Sequence, residues 1–491
     1  MLRACSTSWV FALCTVLASL NGNAQVGAKA DQAVAARIKS VETHLGGWVQ
    51  TQDGAWWSLQ ERMSFYHVHG LSIAVVKNFR IDWAKGYGWA DSAEHRPVSV
   101  HTLFQAGSIS KSLNAVGVLK LVQTGRLNLY ANINDYLRSW TFPYDSLSKG
   151  KKITMANLLS HTAGLSIHGF PGYAQGDSLP SLSQVLDGRR PANTAAVRSE
   201  FEPSLKFQYS GGGTTIAQLI VQDITGMPYA DYMWKNVLQP MGMTSSSYQQ
   251  PPAQDRRALR ATAYYNNGEE VKGKYHIYPE QAAAGLWTNP TDLATYIIET
   301  QQSLLGRSQK VLSHDMTVLR LTPYIDSSAA FGVFIVKKGD ARYFNHNGVD
   351  EGFVALYYGS MEGGNGVVVM ANTYNTAILD EVANSVATVY GWKDFYQPVK
   401  KRIIPAPQAL LSAYEGRYKI DQDTFAISKE KDGLLLIDGD NRMRVHFTSD
   451  ADFFLYEANG LELHFRKNMD GSIEGIEFRR GSNLSLAKKL L

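Results

Sequence analysis

Apolar and polar positions change their period twice along this 491-residue chain. In GLSIAVVKNFRIDWAKGYGWAD, Gly70 to Asp91, β-branched and aromatic residues alternate with small or polar ones. That pattern predicts two strands joined by a short turn at Lys77 to Arg80. From Ser108 to about Leu137 the spacing becomes helical: Leu113, Val116, Leu119, Leu121 and Val122, broken at Thr124-Gly125. Residues 150–320 read as helices separated by Gly- and Pro-punctuated loops. Strand-like runs return in AAFGVFIVKKGD, GFVALYYGS and GVVVMANT, within residues 329–373, and a helix from about Ala377 to Tyr390 follows. Residues 25 to about 65 read as helical and solvent-facing.

Strand-rich segments therefore bracket a helical middle. The economical architecture is α+β: an antiparallel sheet built from both ends of the region, flanked by helices, with a helical lobe and a cleft between lobe and sheet. This domain is expected over residues 25–397. PVKKRIIPAPQ, 398–408, has three prolines and a charge cluster and reads as a linker. Residues 409–491 carry short alternating runs with turn signals at 431–433, 438–440, 458–460 and 469–471, the rhythm of a small up-and-down β-barrel.

Composition narrows the class. With 44% hydrophobic and 19% charged residues the chain is ordinary globular protein, neither disordered nor collagen-like. A net charge of +4 over this length gives no reason to expect nucleic acid or an anionic membrane surface as partner. The first 24 residues have Arg3, an apolar run from Trp9 to Leu20 and a small-residue end at Gly22 to Ala24, the pattern of a signal peptide, so an exported, periplasmic or secreted protein is expected. The run is too short for a membrane span, which takes about 20 residues. Both cysteines, Cys5 and Cys14, lie in this segment, so the mature chain has no disulfide, thiol nucleophile or thiolate-bound zinc. The context of Cys14, FALC, argues against lipidation.

Candidate chemistry begins at FQAGSISKSLNA, residues 104–115. On a helix, Ser108 and Lys111 share a face, and the amine can reach the hydroxyl. The helix N-terminus favours a developing anion. The same spacing recurs at Ser146/Lys149, Ser148/Lys151, Ser428/Lys431 and Ser485/Lys488, so on spacing alone Ser108 is equally the polar start of an ordinary helix. Tyr209, before the triple glycine of FQYSGGG, is either a core tyrosine or a general base whose phenolate Lys111 would favour. His346, in FNHNGVDEGF, is either structural or a donor to a substrate carboxylate or carbonyl. His67 and His69 lack a third ligand candidate close by and read as structural, not metal-binding.

Order and flanks change the picture. FQAGSISKSLNAVGVLKLVQTGRLNL, ITMANLLSHTAGL, AAAGLWTNPTDLATYI and the HNG triplet, together with the 70–91 hairpin, resemble serine β-lactamases and penicillin-binding-protein-like hydrolases, in their class C β-lactamase, DD-peptidase and esterase branch, over roughly residues 65–390. The resemblance implies Ser108 as acylated nucleophile, with Lys111 and Tyr209 sharing proton transfer. It places His346 and Gly348 along the pocket on an edge strand, and the N–H groups of Ser108 and Val349 in an oxyanion hole. No metal or organic cofactor is implied. The terminal barrel resembles lipocalin-like appendages of some members and is the candidate surface for an oligomer. Two departures matter. The family's Tyr-x-Asn is here Tyr209-Ser210-Gly211, and His346 stands where β-lactamases have lysine. Both favour a small-molecule or peptide substrate cleaved by a peptidase, amidase or esterase over β-lactam hydrolysis. A catalytically silent protein binding cell-wall peptide or lipid is the alternative.

Overall fold

A computed structural model describes residues 31–491 except 53–55, 422, 440, 459, 481–482 and 491. The expected signal peptide lies outside the described residues. Among those described, seven strands form one antiparallel sheet in the order Arg96–Pro97, Arg80–Asp91, Gly70–Lys77, Gly366–Ala371, Phe353–Ser360, Ala341–Asp350, Phe334–Lys338. The two ends of the region thus meet at the pairing of Gly70–Lys77 with Gly366–Ala371, as the alternation of strand-rich and helical segments predicts. The 70–91 hairpin turns at Asn78 and Phe79, both at positive φ (51° and 62°), the left-handed pair that matches the twist of a two-residue hairpin.

Side chains of the central strands alternate between two cores. Ala74, Val76, Val368, Met370, Ala355 and Tyr357 face the helical lobe and the helix Pro290–Leu304. Leu71, Ile73, Val75, Val367, Val369 and Leu356 face the opposite layer. That layer consists of the helix at 31–43, the helix Leu59–Phe65 and the closing helix Ala377–Val389. Here the structure corrects the reading of 25–65 as solvent-facing: Val41, Leu45, Leu59 and Met63 are buried. The second sheet face needs a cover, and this segment supplies half of it.

The cover is pinned by a buried ion pair. Arg62 is 1% exposed, and its guanidinium donates to both oxygens of Glu381, through Nε at 2.7 Å, and to the Tyr66 hydroxyl. Truncating one partner strands a buried charge, which costs about 3–5 kcal/mol. Arg62→Ala is therefore expected to lower the urea midpoint strongly, and Arg62→Ala/Glu381→Ala to recover part of the loss.

The proline-rich stretch is less of a free linker than its composition suggests. Val399–Lys401 pairs in parallel with Val49–Thr51, and the Ile404 N–H donates to the Phe447 carbonyl at 3.0 Å. Beyond it, a nine-segment antiparallel sheet begins with Asn441–Arg444 and ends with His446–Phe447. Val445 alone separates those two segments, so the chain itself brings the two ends of the sheet together into a nearly closed barrel. Tyr414, Tyr418, Phe425, Phe447, Phe453 and Phe465 fill the interior, Tyr414 stacking on Phe465 at 3.8 Å. The barrel touches the hydrolase-like region through Trp48 against Phe454 and through an Asn266–Asn441 hydrogen bond of 2.8 Å. Among the described residues no helix is long and apolar enough to cross a membrane.

Candidate active site

Ser108 lies in a single 3-10 turn, Gly107–Ile109, that leads directly into the helix Ser110–Gln123. Gly107 makes the turn possible. Its φ is +51°, and a Cβ there would stand 2.5 Å from the backbone nitrogen of Val349. The spacing then does what the sequence suggests: Lys111 Nζ lies 2.9 Å from Ser108 Oγ, on a side chain 4% exposed, while Ser108 is half-buried. Sequence reasoning missed the second partner of Lys111, the Ala283 carbonyl at 2.7 Å in the short helix Gln281–Ala284. An ammonium donates to both oxygens. A neutral amine donates to Ala283 and accepts from Ser108, so one geometry serves both protonation states.

Tyr209 reaches the same place from the loop before the helix Gly211–Thr225. Its ring lies 5.0 Å from Lys111 Nζ, and its buried hydroxyl has no hydrogen-bond partner among the described residues. The His161 ring lies against the tyrosine ring, 4.2 Å between centroids and tilted by 34°. The Ser210 N–H donates to His161 Nδ1 at 3.2 Å, and burial, helped by the Lys111 charge, holds that imidazole neutral. The landmark histidine thus supports the tyrosine.

The Gly211 departure has a local cause. Ser210 is the helix N-cap, accepting the Gly213 N–H at 2.9 Å. A Cβ on Gly211 would meet Phe170 Cε2 at 3.0 Å and the His168 carbonyl at 3.3 Å. The Phe170 ring lies where an asparagine side chain would begin.

The strand Ala341–Asp350 carries the other side. The HNG triplet lies inside this strand, which is second from the sheet edge and not the edge strand itself. Phe334–Lys338 pairs with residues 341–345, so 346–350 have a strand neighbour on one side among the described residues, and the edge is locally open. Along it His346, Gly348 and Asp350 are buried, while Asn347 and Val349 are exposed. Gly348 packs under the nucleophile turn: a Cβ would overlap the Ala106 carbonyl oxygen and stand 3.0 Å from the Ser108 nitrogen. The amides of Ser108 and Val349 therefore belong to abutting segments.

His346 is 2% exposed, its ring 6.3 Å from that of Tyr209. The expected donor role does not fit its surroundings. Burial, with Lys111 nearby, lowers its pKa to about 3, so it is neutral. Nδ1 lies 2.6 Å from the Asn347 carbonyl and must carry the proton, which leaves Nε2 as an acceptor without a partner among the described residues. His67 and His69 hydrogen-bond to the carbonyls of Asn266 and Gly268, in keeping with a structural role. Among the described residues no group of three metal-ligating side chains occurs.

A twice-covered antiparallel sheet with a helical lobe over a Ser-x-x-Lys turn defines the penicillin-binding-protein-like class of fold. The chain belongs to the beta-lactamase family, whose model matches residues 58–387. It is 26% identical over 317 residues to Protein flp of Staphylococcus aureus (strain COL), covering 62% of this chain and 60% of that protein. It is 25% identical to the Putative penicillin-binding protein PbpX of Bacillus subtilis (strain 168), covering 64% of this chain and 73% of the relative. The octameric penicillin-binding protein homologue from Pyrococcus abyssi superimposes with a TM-score of 0.58 at 20% identity, over 88% of this chain and 98% of that one. The Beta-Lactamase/D-Alanine Carboxypeptidase from Pseudomonas syringae does so with a TM-score of 0.54 at 20% identity, over 67% and 96%. The family is generally one of serine hydrolases.

Proposed function

We propose that the protein is an exported serine hydrolase that cleaves an amide or ester through an acyl-enzyme on Ser108. The observation that carries this reading is the 2.9 Å Lys111–Ser108 contact beside a buried, unpartnered Tyr209 hydroxyl, unpartnered among the described residues. Tyr209 and Lys111 take the Ser108 proton as Oγ attacks the carbonyl. The N–H groups of Ser108 and Val349 receive the oxyanion, each donor contributing roughly 10²–10³ in rate. Tyr209 returns the proton to the leaving group, and water releases the acyl group. His346 Nε2 accepts a hydrogen bond from the substrate or from Tyr209. With Phe170 beside Gly211 and no asparagine amide, the acyl side of the cleft suits peptidase, amidase or esterase substrates better than β-lactams.

Intact-mass spectrometry after exposure to a fluorophosphonate and to a penicillin tests the reading. An adduct on Ser108 supports it. Absence of any adduct favours the silent binder of cell-wall peptide or lipid. Short-chain esters, D-amino-acid amides and β-lactams then sort the substrate class. Tyr209→Phe is expected to reduce turnover of a responding ester by about 10²–10⁴ while leaving the melting temperature nearly unchanged. Assembly through the barrel belongs to the same proposal and is read by light scattering on the full chain.

A further inference from the structure

Two buried acids lie behind the nucleophile turn, and the acyl-transfer chemistry just described uses neither. Asp350 is 3% exposed and Glu280 is fully buried, and none of their four carboxyl oxygens has a hydrogen-bond partner among the described residues. Their places tie them to three working parts of the site. Asp350 follows Val349 in the strand, shares the inward face of His346 and Gly348, and lies beside Gly107, one residue before Ser108. Glu280 precedes the helix Gln281–Ala284, its carbonyl accepting the N–H groups of Ala283 and Ala284. Ala283 in turn holds Lys111.

The groups that face the pair come from every neighbouring segment. Lys111, from the nucleophile helix, attracts a charge on Asp350, whereas a charge on Glu280, and Glu351 at the tip of the following hairpin, repel it. Tyr278, Tyr374 and Tyr173 present phenols, the first two interacting with Asp350 and the third with Glu280. The Gly107 N–H favours an Asp350 carboxylate but falls outside hydrogen-bond geometry, so its help is slight. Burial dominates. It pushes Asp350 well above the carboxylate range and Glu280 up to about 7.

We propose that Asp350 and Glu280 are positioning residues that support acyl transfer as a neutral, proton-holding pair. Uncharged, they let the nucleophile turn and the carbonyl anchor of Lys111 pack without a counter-charge. When a proton leaves to solvent, the negative charge left behind the Ser108 and Val349 amides opposes the oxyanion, and turnover falls. The proposal rests on the reading of Ser108 as nucleophile.

The sign follows from linkage. A carboxyl whose folded pKa is raised stabilises the fold at pH values below its unfolded pKa. That contribution is lost as pH rises from about 4.5 towards 7 for Glu280. Neutral isosteres should mimic the protonated pair. The test is the rate of Ser108 labelling by a fluorophosphonate from pH 5 to 9, in the full-length wild type, Glu280→Gln and Asp350→Asn, with urea stability followed in parallel. The wild-type rate is expected to fall on the alkaline side with a midpoint near neutrality. At least one isostere should move that midpoint up by a pH unit or more, keep the pH 6 rate within about threefold, and flatten the stability profile. The infrared band of a protonated buried carboxyl, present in wild type at pH 6, should weaken in each variant that folds. Wild-type profiles in both isosteres, or a uniform loss at all pH values, would overturn the pair's role. If neither isostere folds, absence of that band from the wild type at pH 6 overturns it, and presence supports it. Failure of wild-type Ser108 to label at any pH would instead overturn the nucleophile reading and this proposal with it, an outcome distinguishable from the others.

Discussion

Replacing Ser108 with alanine is expected to abolish fluorophosphonate labelling and to lower turnover of any responding ester or amide by roughly 10⁴-fold or more, with little change in stability. The asymmetry follows from the geometry. Ser108 is half-buried in a turn that its backbone and Gly107 define, so the hydroxyl is not needed for the fold. Lys111 loses one acceptor and keeps the Ala283 carbonyl at 2.7 Å, so no buried ammonium is stranded. The fold should therefore stay within about 0.5 kcal/mol of wild type by urea titration. What disappears is the atom that forms the acyl bond. Undiminished hydrolysis in Ser108→Ala would move the chemistry elsewhere. Unchanged binding of a cell-wall peptide with no turnover in either protein would favour the silent binder.

How much of this was legible in the sequence depended on whether hydrophobicity alone set the pattern. The 70–91 hairpin and the helix from Ser110 were visible because apolar residues there follow one period. The cover of the second sheet face was not, because an amphipathic helix gives no sign of which face of a distant sheet it buries; Val41, Leu45 and Met63 became core only once the sheet existed. The strand Ala341–Asp350 is missing from the runs that alternation picks out, for a sharper reason. Its inward positions near the site are His346, Gly348 and Asp350, so the buried face is polar or absent and the hydrophobic alternation fails where the site begins. The Ser108–Lys111 spacing was legible; the Ala283 carbonyl was not, since a backbone acceptor leaves no mark on residue type. Asp350 had a signal, its two-residue spacing from Gly348 and four from His346, but burial of a lone carboxyl runs against every expectation for that residue.

That polar face also sets the second large effect. Gly348→Ala is expected to cost about 10² or more in labelling rate and ester turnover, together with roughly 1–3 kcal/mol of stability. A Cβ at 348 would collide with the Ala106 carbonyl oxygen and press within 3.0 Å of the Ser108 nitrogen. Both are backbone atoms, so no side chain can swing aside, and strand and turn must separate. Separation moves the Val349 amide away from the Ser108 amide, and a displacement of about 1 Å at a reacting centre is enough for a hundredfold loss. The comparison that isolates the mechanism is Val349→Ala, which alters an exposed side chain and leaves the amide in place. It should retain the labelling rate within a few-fold. Gly348→Ala with wild-type labelling would mean that the strand does not set the oxyanion geometry, and the two amides would have to be abandoned as its donors.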